Sequence, residues 1–317
     1  MGTMTLVEYK KGVTDPTQLF VINEFLESKL LQYMPFRDVQ GGGLFYNLTE
    51  TLPGIGFRGI NESFNDSVGV LNPQSEALKL FGGDMTVDVA LVDRHGDSVR
   101  QSHVQLKLMA ARLRFEKAFF KGDSALDPRE FDGLQKRIGG NQLITNGSDG
   151  TGNALSIASL KEAIDAVKAG SGRKLLFMNE TVKRRLEEYY ETTVGATMLR
   201  YQVNELGEEI MMYRGCEVVV IEDDEAGNAI LPFTETSPDG STSADNTSVY
   251  CVRFGDLLTT GIQGPSNGVN GIYAEDFGRI EASPNYLTRV HWDCGMAVMN
   301  GRSVSRLYGI QDATATA

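Results

Sequence analysis

The chain has 317 residues, with 30 Lys plus Arg against 42 Asp plus Glu and a formal net charge of −12 at pH 7. That balance is opposite in sign to the footprint of a dedicated nucleic-acid binder. No run of ~18 apolar residues offers a membrane-spanning helix, and the N-terminus lacks the apolar centre of a secretory signal, so synthesis in the cytoplasm is expected. Cys216, Cys251 and Cys294 are too few and too scattered for a disulfide framework or a zinc site, which predicts three reduced thiols. Leu6 stands where a myristoylation signal requires a hydroxyl. Asn-x-Ser/Thr triplets at Asn47, Asn61 and Asn246 matter only in a secreted chain.

From the N-terminus, Asp15, Pro16 and Gln18 read as N-cap, first helical position and capping-box partner. The helix they open carries Leu19, Phe20, Ile22, Phe25, Leu26 and Leu30 at helical spacing and ends near Tyr33. Residues 44–92 show short β-like runs, glycines at 54, 56 and 59 and no helical period, which predicts a long strand pair. A lone hairpin is marginal in water, so it folds back on its own domain or reaches a neighbouring molecule. Phe57, Arg58, Ile60 and Phe64 have no obvious apolar partner in so short a segment, which points to an intersubunit contact.

Ser98 and Gln101 are placed as a capping box for the strongest helix of the sequence, which runs to Lys121, stops at Gly122 and spans roughly 36 Å. Arg100, Lys107, Arg114 and Lys121 recur every seven residues along it, with His103 and Lys117 between them. A seven-residue step drifts by only about 20°, so they form one slanted basic stripe. Leu108, Met109, Phe115, Phe119 and Phe120 fall on the other side as a core face, interrupted by Arg112 and Glu116. These two are spaced to pair with each other or with a neighbour.

Beyond this helix, Ser159 and Glu162 are expected to cap a helix bearing Leu160, Ile164 and Val167 and stopped by Gly170. A strand at "KLLFMN" and a helix after Asn179 with Val182, Leu186 and Tyr189 or Tyr190 complete a sheet flanked by helices. Strands are predicted at "EEIMMYRG", "CEVVVIED", "SVYCVRF", "GIYAEDF", "RIEASP", "LTRVHWDCGMAVMN" and "VSRLYGI". The class is α+β. Glycine, at 35 residues, exceeds the ~7% average and gathers in long connections, which fits a compact enzyme with short loops poorly.

Candidate chemistry is thin. "GSGRK" lacks the first glycine spacing and the hydroxyl residue of a phosphate loop, and it follows a helix rather than a strand. "GSDGTGN" has amides that could cradle an anion but no companion motif, and "EDDEAGN" does not match a calcium loop. His95 and His103 have no second ligand pair nearby. "VHWDCGMAV" puts His291, Asp293 and Cys294 within four positions, the residue types of a thiol hydrolase. On a strand, however, Val290, Trp292, Cys294, Met296 and Val298 share one face, and His291 and Asp293 the other. A thiol on an apolar face is inert. No catalytic, metal or cofactor-binding set is predicted.

The order of N-terminal helix, strand pair, long helix, "KAFFKGDSA", "FDGLQKRI", "LKEAIDAV", "LLFMN", "MYRGCEVVVIEDD", "SVYCVRFGD" and "RVHWDCGMAVMNGRSVSRLYGI" resembles, over nearly the whole chain, the major capsid proteins of tailed bacteriophages with the Hong-Kong-97-like fold. Gly-Asp followed by "FDGL" and the closing "CGMAVMNGRSVSRL" are its most specific pieces. The resemblance implies an N-terminal arm (1–43), an extended loop (44–92), a peripheral domain on a spine helix (93–145 and 263–300) and an axial domain (146–262 and 301–317). It implies a shell protein, not an enzyme, without cofactors, forming pentamers and hexamers of the icosahedral head around double-stranded DNA. Its expected location is the virion, after synthesis in the host cytoplasm. With no long segment ahead of the arm, a separate scaffolding protein is expected, with a portal and no membrane partner. The basic stripe Arg100, Lys107, Arg114, Lys117 and Lys121 is then either a solvated surface or a lumen-facing lining in weak, non-specific contact with packaged DNA. Two alternatives are an encapsulin-like nanocompartment shell and a thiol-dependent α+β enzyme.

Overall fold

In the computed structural model, residues 3–14, 16–147, 152–168, 170–193, 199–203, 209–238, 245–266, 269–281 and 283–316 are described. The expected cap Asp15 and most of "GSDGTGN" lie outside them. The N-terminal helix is two helices, Pro16–Phe25 and Lys29–Tyr33, because Ser28 starts the second by accepting a bond from the Leu31 amide at 3.3 Å. A short helix, Leu6–Lys10, precedes them, held by a capping box between Thr5 and Glu8 that sequence reading overlooked.

The spine helix runs Ser98–Lys121 and ends at Gly122, as expected. Its start differs. Asp97 is the N-cap without a side-chain bond, and the Ser98 hydroxyl donates to the His95 carbonyl instead of capping. Phe115, Phe119 and Phe120 are buried and Leu108 is fully covered, but Met109 is 45% exposed, so the core face is narrower than the sequence suggested.

One sheet passes under the spine helix. Asn285–Val298 is its central strand, antiparallel to Lys79–Asp88 on one side and to Tyr273–Arg279 on the other. It continues through Thr259–Gln263, which also pairs in parallel with Pro35–Asp38. The ring of Trp292 sits at the centre of the first core, stacked on Phe115 at 4.9 Å and ringed by Phe25, Phe36 and Phe81 at 5.3–6.3 Å. "RIEASP" forms no separate strand: Tyr273–Arg279 ends there, and the Ile280 amide donates to the Asn285 carbonyl across the turn.

The second core lies between a strand set and two helices. Arg173–Met178 pairs in parallel with Cys216–Val220 and antiparallel with Thr247–Phe254, which in turn pairs with Val304–Thr316. The helices Ile157–Ala166 and Glu180–Thr193 cover it with Leu160, Ile164, Val182, Leu186 and Tyr190. The first of these helices starts earlier than expected, because Ser156, not Ser159, is the cap: its hydroxyl accepts from the Ser159 amide.

The extended segment is shorter than residues 44–92. Gly43–Thr51 and Val70–Ala77 form an antiparallel hairpin in register from Gly43 opposite Ala77. Lys79–Asp88 already belongs to the body sheet, and Val89–His95 is a helix capped by Asp88.

Candidate assembly surface

The hairpin has a clamped root and an open end. At the root, Tyr46 and Leu44 pack with Leu78 against Val39, Ile262 and Ala297. The Arg137 guanidinium makes a two-pronged ion pair with Glu76, both side chains largely buried, and the Tyr46 hydroxyl donates to Glu76 and to the Val298 carbonyl at 3.3 Å each. Burial, then the Glu76 charge, push the Tyr46 phenol up to about 12, so it stays a donor at physiological pH. Arg137 reaches this point because the segment before it is folded against the end of the spine helix. The Gly133 amide donates to the Gly122 carbonyl at 2.8 Å, and a Cβ on Gly133 would run into the Ala118 carbonyl and the Gly122 backbone. Phe131 packs on Phe115 at 5.7 Å and Leu134 is fully buried. The Gly-Asp and "FDGL" pieces thus join the spine helix to the hairpin root. Sequence reading missed Glu76, Tyr46 and Arg137, which lie far apart along the chain and leave no local signal.

At the far end, Phe57, Ile60, Ile55 and Phe64 are 109%, 95%, 97% and 67% exposed. Arg58 holds the turn locally: its guanidinium donates to the Glu62 carbonyl at 3.0 Å and lies over the Phe64 ring at 5.2 Å. Gly59 donates to the Glu62 carboxylate at 2.8 Å. The turn is therefore ordered by polar bonds, while its apolar side chains touch little. Phe57, Arg58, Ile60 and Phe64 are brought together on this one exposed tip.

The basic stripe is largely neutralised within the chain. Arg100 pairs with Asp276 and with Asp97 at 3.3 Å, and its guanidinium lies on the Tyr286 ring at 4.6 Å. Arg114 pairs with Glu130, Lys117 with Asp224 at 2.7 Å, and Lys121 lies 3.7 Å from Glu235. Lys107 lies over Gly83. The Lys117 ammonium and the Asn228 amide hold the Asp224 carboxyl down at about 2. Arg112 and Glu116 do not pair with each other as the helical spacing allowed. Arg112 takes Glu27 at 2.6 Å, and Glu116 accepts from the Ser28 hydroxyl, its pKa raised by burial despite that bond. Glu235 is also engaged by Arg306, a buried ion pair at 3.3 Å on the closing strand.

The strand at 285–298 disposes its side chains as alternation requires. Val290, Trp292, Cys294, Met296 and Val298 are buried in the first core, whereas His291 stacks on Tyr273 at 5.5 Å on the other face. Burial, with the neighbouring Asp293 charge, pushes the Cys294 thiol far above its usual range. All three cysteines are free thiols and buried. Among the described residues, no three His, Cys, Asp or Glu side chains are grouped to hold a metal, and no helix is long and apolar enough to cross a membrane.

Against known proteins, residues 88–224 match the family model of the SU10 major capsid protein, a span that contains the spine helix and both helices of the second core. No curated protein matches. Among solved structures, the holo-SrpI encapsulin complex from Synechococcus elongatus PCC 7942 superposes with a TM-score of 0.65 at 15% identity, covering 91% of this chain and 89% of that one. The capsid of a native GTA particle gives 0.61 at 14% identity over 94% and 92%, and Mycobacterium phage Bobi 0.57 at 13% over 92% and 91%. At such identities the superpositions speak for the fold, and the family match speaks for the sequence. The two agree: residues 88–224 match a major capsid protein family, and the chain has the Hong-Kong-97-like fold of the capsids on which it superposes.

Proposed function

We propose that the protein is the repeating shell subunit of a tailed-bacteriophage head and that its role is structural rather than catalytic. The observation that carries this is the major-capsid family match across residues 88–224. The encapsulin likeness is a likeness of fold, which cellular and viral shells share, and it does not favour the nanocompartment. Within this reading, the first core with the spine helix is the peripheral domain and the second core is the axial domain. The subunit closes into pentamers and hexamers, is made in the host cytoplasm and resides in the virion. A separate scaffolding protein and a portal are its expected companions.

The hairpin is the intersubunit element of this proposal. An exposed apolar tip on a clamped root is stable in water only at a cost, and a copy related by rotation offers a surface to cover it. The contact residues are Phe57, Arg58, Ile60 and Phe64. The stripe is assigned differently from a DNA lining: paired charges attract phosphate weakly, so Arg100, Arg114, Lys117 and Lys121 fasten the spine helix to its surroundings, and only Lys107 keeps a role towards DNA open.

Negative-stain microscopy of the purified protein, with any scaffolding partner co-expressed, tests the reading. Closed particles that protect DNA support it. Particles filled with an enzyme would turn it to a nanocompartment, and a protein that never assembles under either condition would overturn it. Replacing residues 52–69 by an Asn-Gly turn tests the hairpin: a folded subunit that no longer assembles is expected, and normal particles would remove the hairpin from the contact.

A further inference from the structure

Two of the three thiols lie in the second core, on the same face of its sheet. Cys216 opens the strand Cys216–Val220, Cys251 lies in Thr247–Phe254, and Arg173–Met178 runs between them, parallel to the first and antiparallel to the second. Both are buried together with Leu176, Val218 and Val249. The Cys251 thiol donates to the Cys216 sulfur, and that hydrogen bond holds the Cys216 thiol below its usual range and raises the Cys251 thiol. The two sulfurs thus face one another across the intervening strand, whereas Cys294 lies apart from them in the first core. Two strand spacings, roughly 9.5 Å, separate the backbones, beyond the ~7 Å that a disulfide spans. The pair can share a ligand but not an S–S bond. Its surroundings are basic. The Lys174 ammonium donates to the Ile164 carbonyl at 2.8 Å and the Arg253 guanidinium to the Gly170 carbonyl at 2.6 Å, and both charges, with that of Arg214, favour a thiolate at Cys216.

We propose that Cys216 and Cys251 form a two-coordinate site for a soft monovalent cation of the Cu(I) or Ag(I) class. Thiolates select soft ions. Among the described residues no third His, Cys, Asp or Glu joins the pair, so the four-ligand shell that zinc takes in structural sites is not built here. Two protons leave to solvent as two sulfur–metal bonds form, no atom changes its oxidation state, and the bound group carries one negative charge. Lys174 and Arg253 supply the opposing charge that a buried anion requires. Entry is through the turn at Arg214 and Gly215, which is exposed and leads directly into Cys216. The site lies inside one subunit, so the proposal stands apart from the intersubunit contact.

The test adds Ag(I) in chloride-free buffer to the whole protein and then challenges it with an excess of 2-mercaptoethanol, a monothiol. The parent and Cys294→Ser are expected to retain about one ion per chain, because two thiols fixed side by side outcompete separate ones. Cys216→Ser and Cys251→Ser should each retain about tenfold less. Equal retention by either of these two and the parent would overturn the proposal, as would a parent that retains no ion. Loss of the ion in Cys294→Ser would assign it to the first core and overturn the proposal too. X-ray absorption at the silver edge of the parent, prepared without the monothiol, is the second arm and needs no substitution in the core. Two sulfur neighbours support the pair, and one sulfur with oxygen or nitrogen overturns it.

Discussion

The first core and the hairpin tip contain the same kinds of side chain and treat them in opposite ways. Around Trp292, the four rings of Phe25, Phe36, Phe81 and Phe115 converge from four separate segments, and the indole is fully buried. At the tip, Phe57 and Ile60 stand almost entirely in water and Phe64 is two-thirds exposed, on a turn ordered by Arg58 and Glu62. Apolar residues in the body specify the fold of one chain; those at the tip contribute nothing to it. The proposed function thus assigns stability and assembly to different residues, and substitutions test that separation.

Trp292→Ala is expected to have the largest effect, a loss of about 3–5 kcal/mol from the cavity left among Phe25, Phe36, Phe81 and Phe115, read by chemical denaturation. A loss below 1 kcal/mol would break the contrast from the side of the body. Cys294→Ser on the same face introduces a buried hydroxyl and should cost about 1–3 kcal/mol without altering any activity. Rapid labelling of Cys294 by a thiol reagent in the native protein would show that the face is not sealed. Acid tests the polar fastenings. Asp224 is lowered from 3.8 to about 2, and so is Asp132, where Lys136 and Ser124 outweigh the opposing effect of burial. A lowered carboxyl stabilises the fold above its ordinary pKa and ceases to do so as pH falls through the lowered value. The melting temperature should therefore decline from about pH 4 towards pH 2 through these groups. Asp224→Asn should flatten part of that decline. The smallest effect on the isolated subunit belongs to the tip: Phe57→Ser/Ile60→Ser/Phe64→Ser should stay within about 0.5 kcal/mol of the parent while particle yield collapses. A large stability loss would mean that the tip packs on its own chain.

Much of this division was legible in the sequence, because alternation and helical spacing are local. The strand faces of Val290 to Val298, the length of the spine helix and the exposed run around Phe57 all follow from periodicity. What periodicity cannot supply is the partner. Asp276, Glu130, Asp224 and Glu235 reach the spine helix from other segments, so a stripe that reads as free cations is a row of fastenings. Lys79–Asp88 reads as a continuation of the hairpin because it too alternates, and only its pairing with Asn285–Cys294 shows it to be body. Helix starts were displaced for a related reason: Ser98 and Ser159 are plausible caps, but Asp97 and Ser156 occupy the positions where the chain turns.

The ion pair of Glu76 and Arg137 makes the hairpin root the fulcrum of a lever. Each arm is about nine residues long, so at ~3.3 Å per residue the tip lies roughly 30 Å away, and a tilt of about 10° at the root swings it by about 5 Å. Arg137 sits just past the glycine that meets the end of the spine helix, so on the proposed reading a small rotation of that helix would carry the tip a long way across a neighbour's surface. In the proposed shell, curvature would then be adjustable at one buried joint per subunit, with both cores left intact.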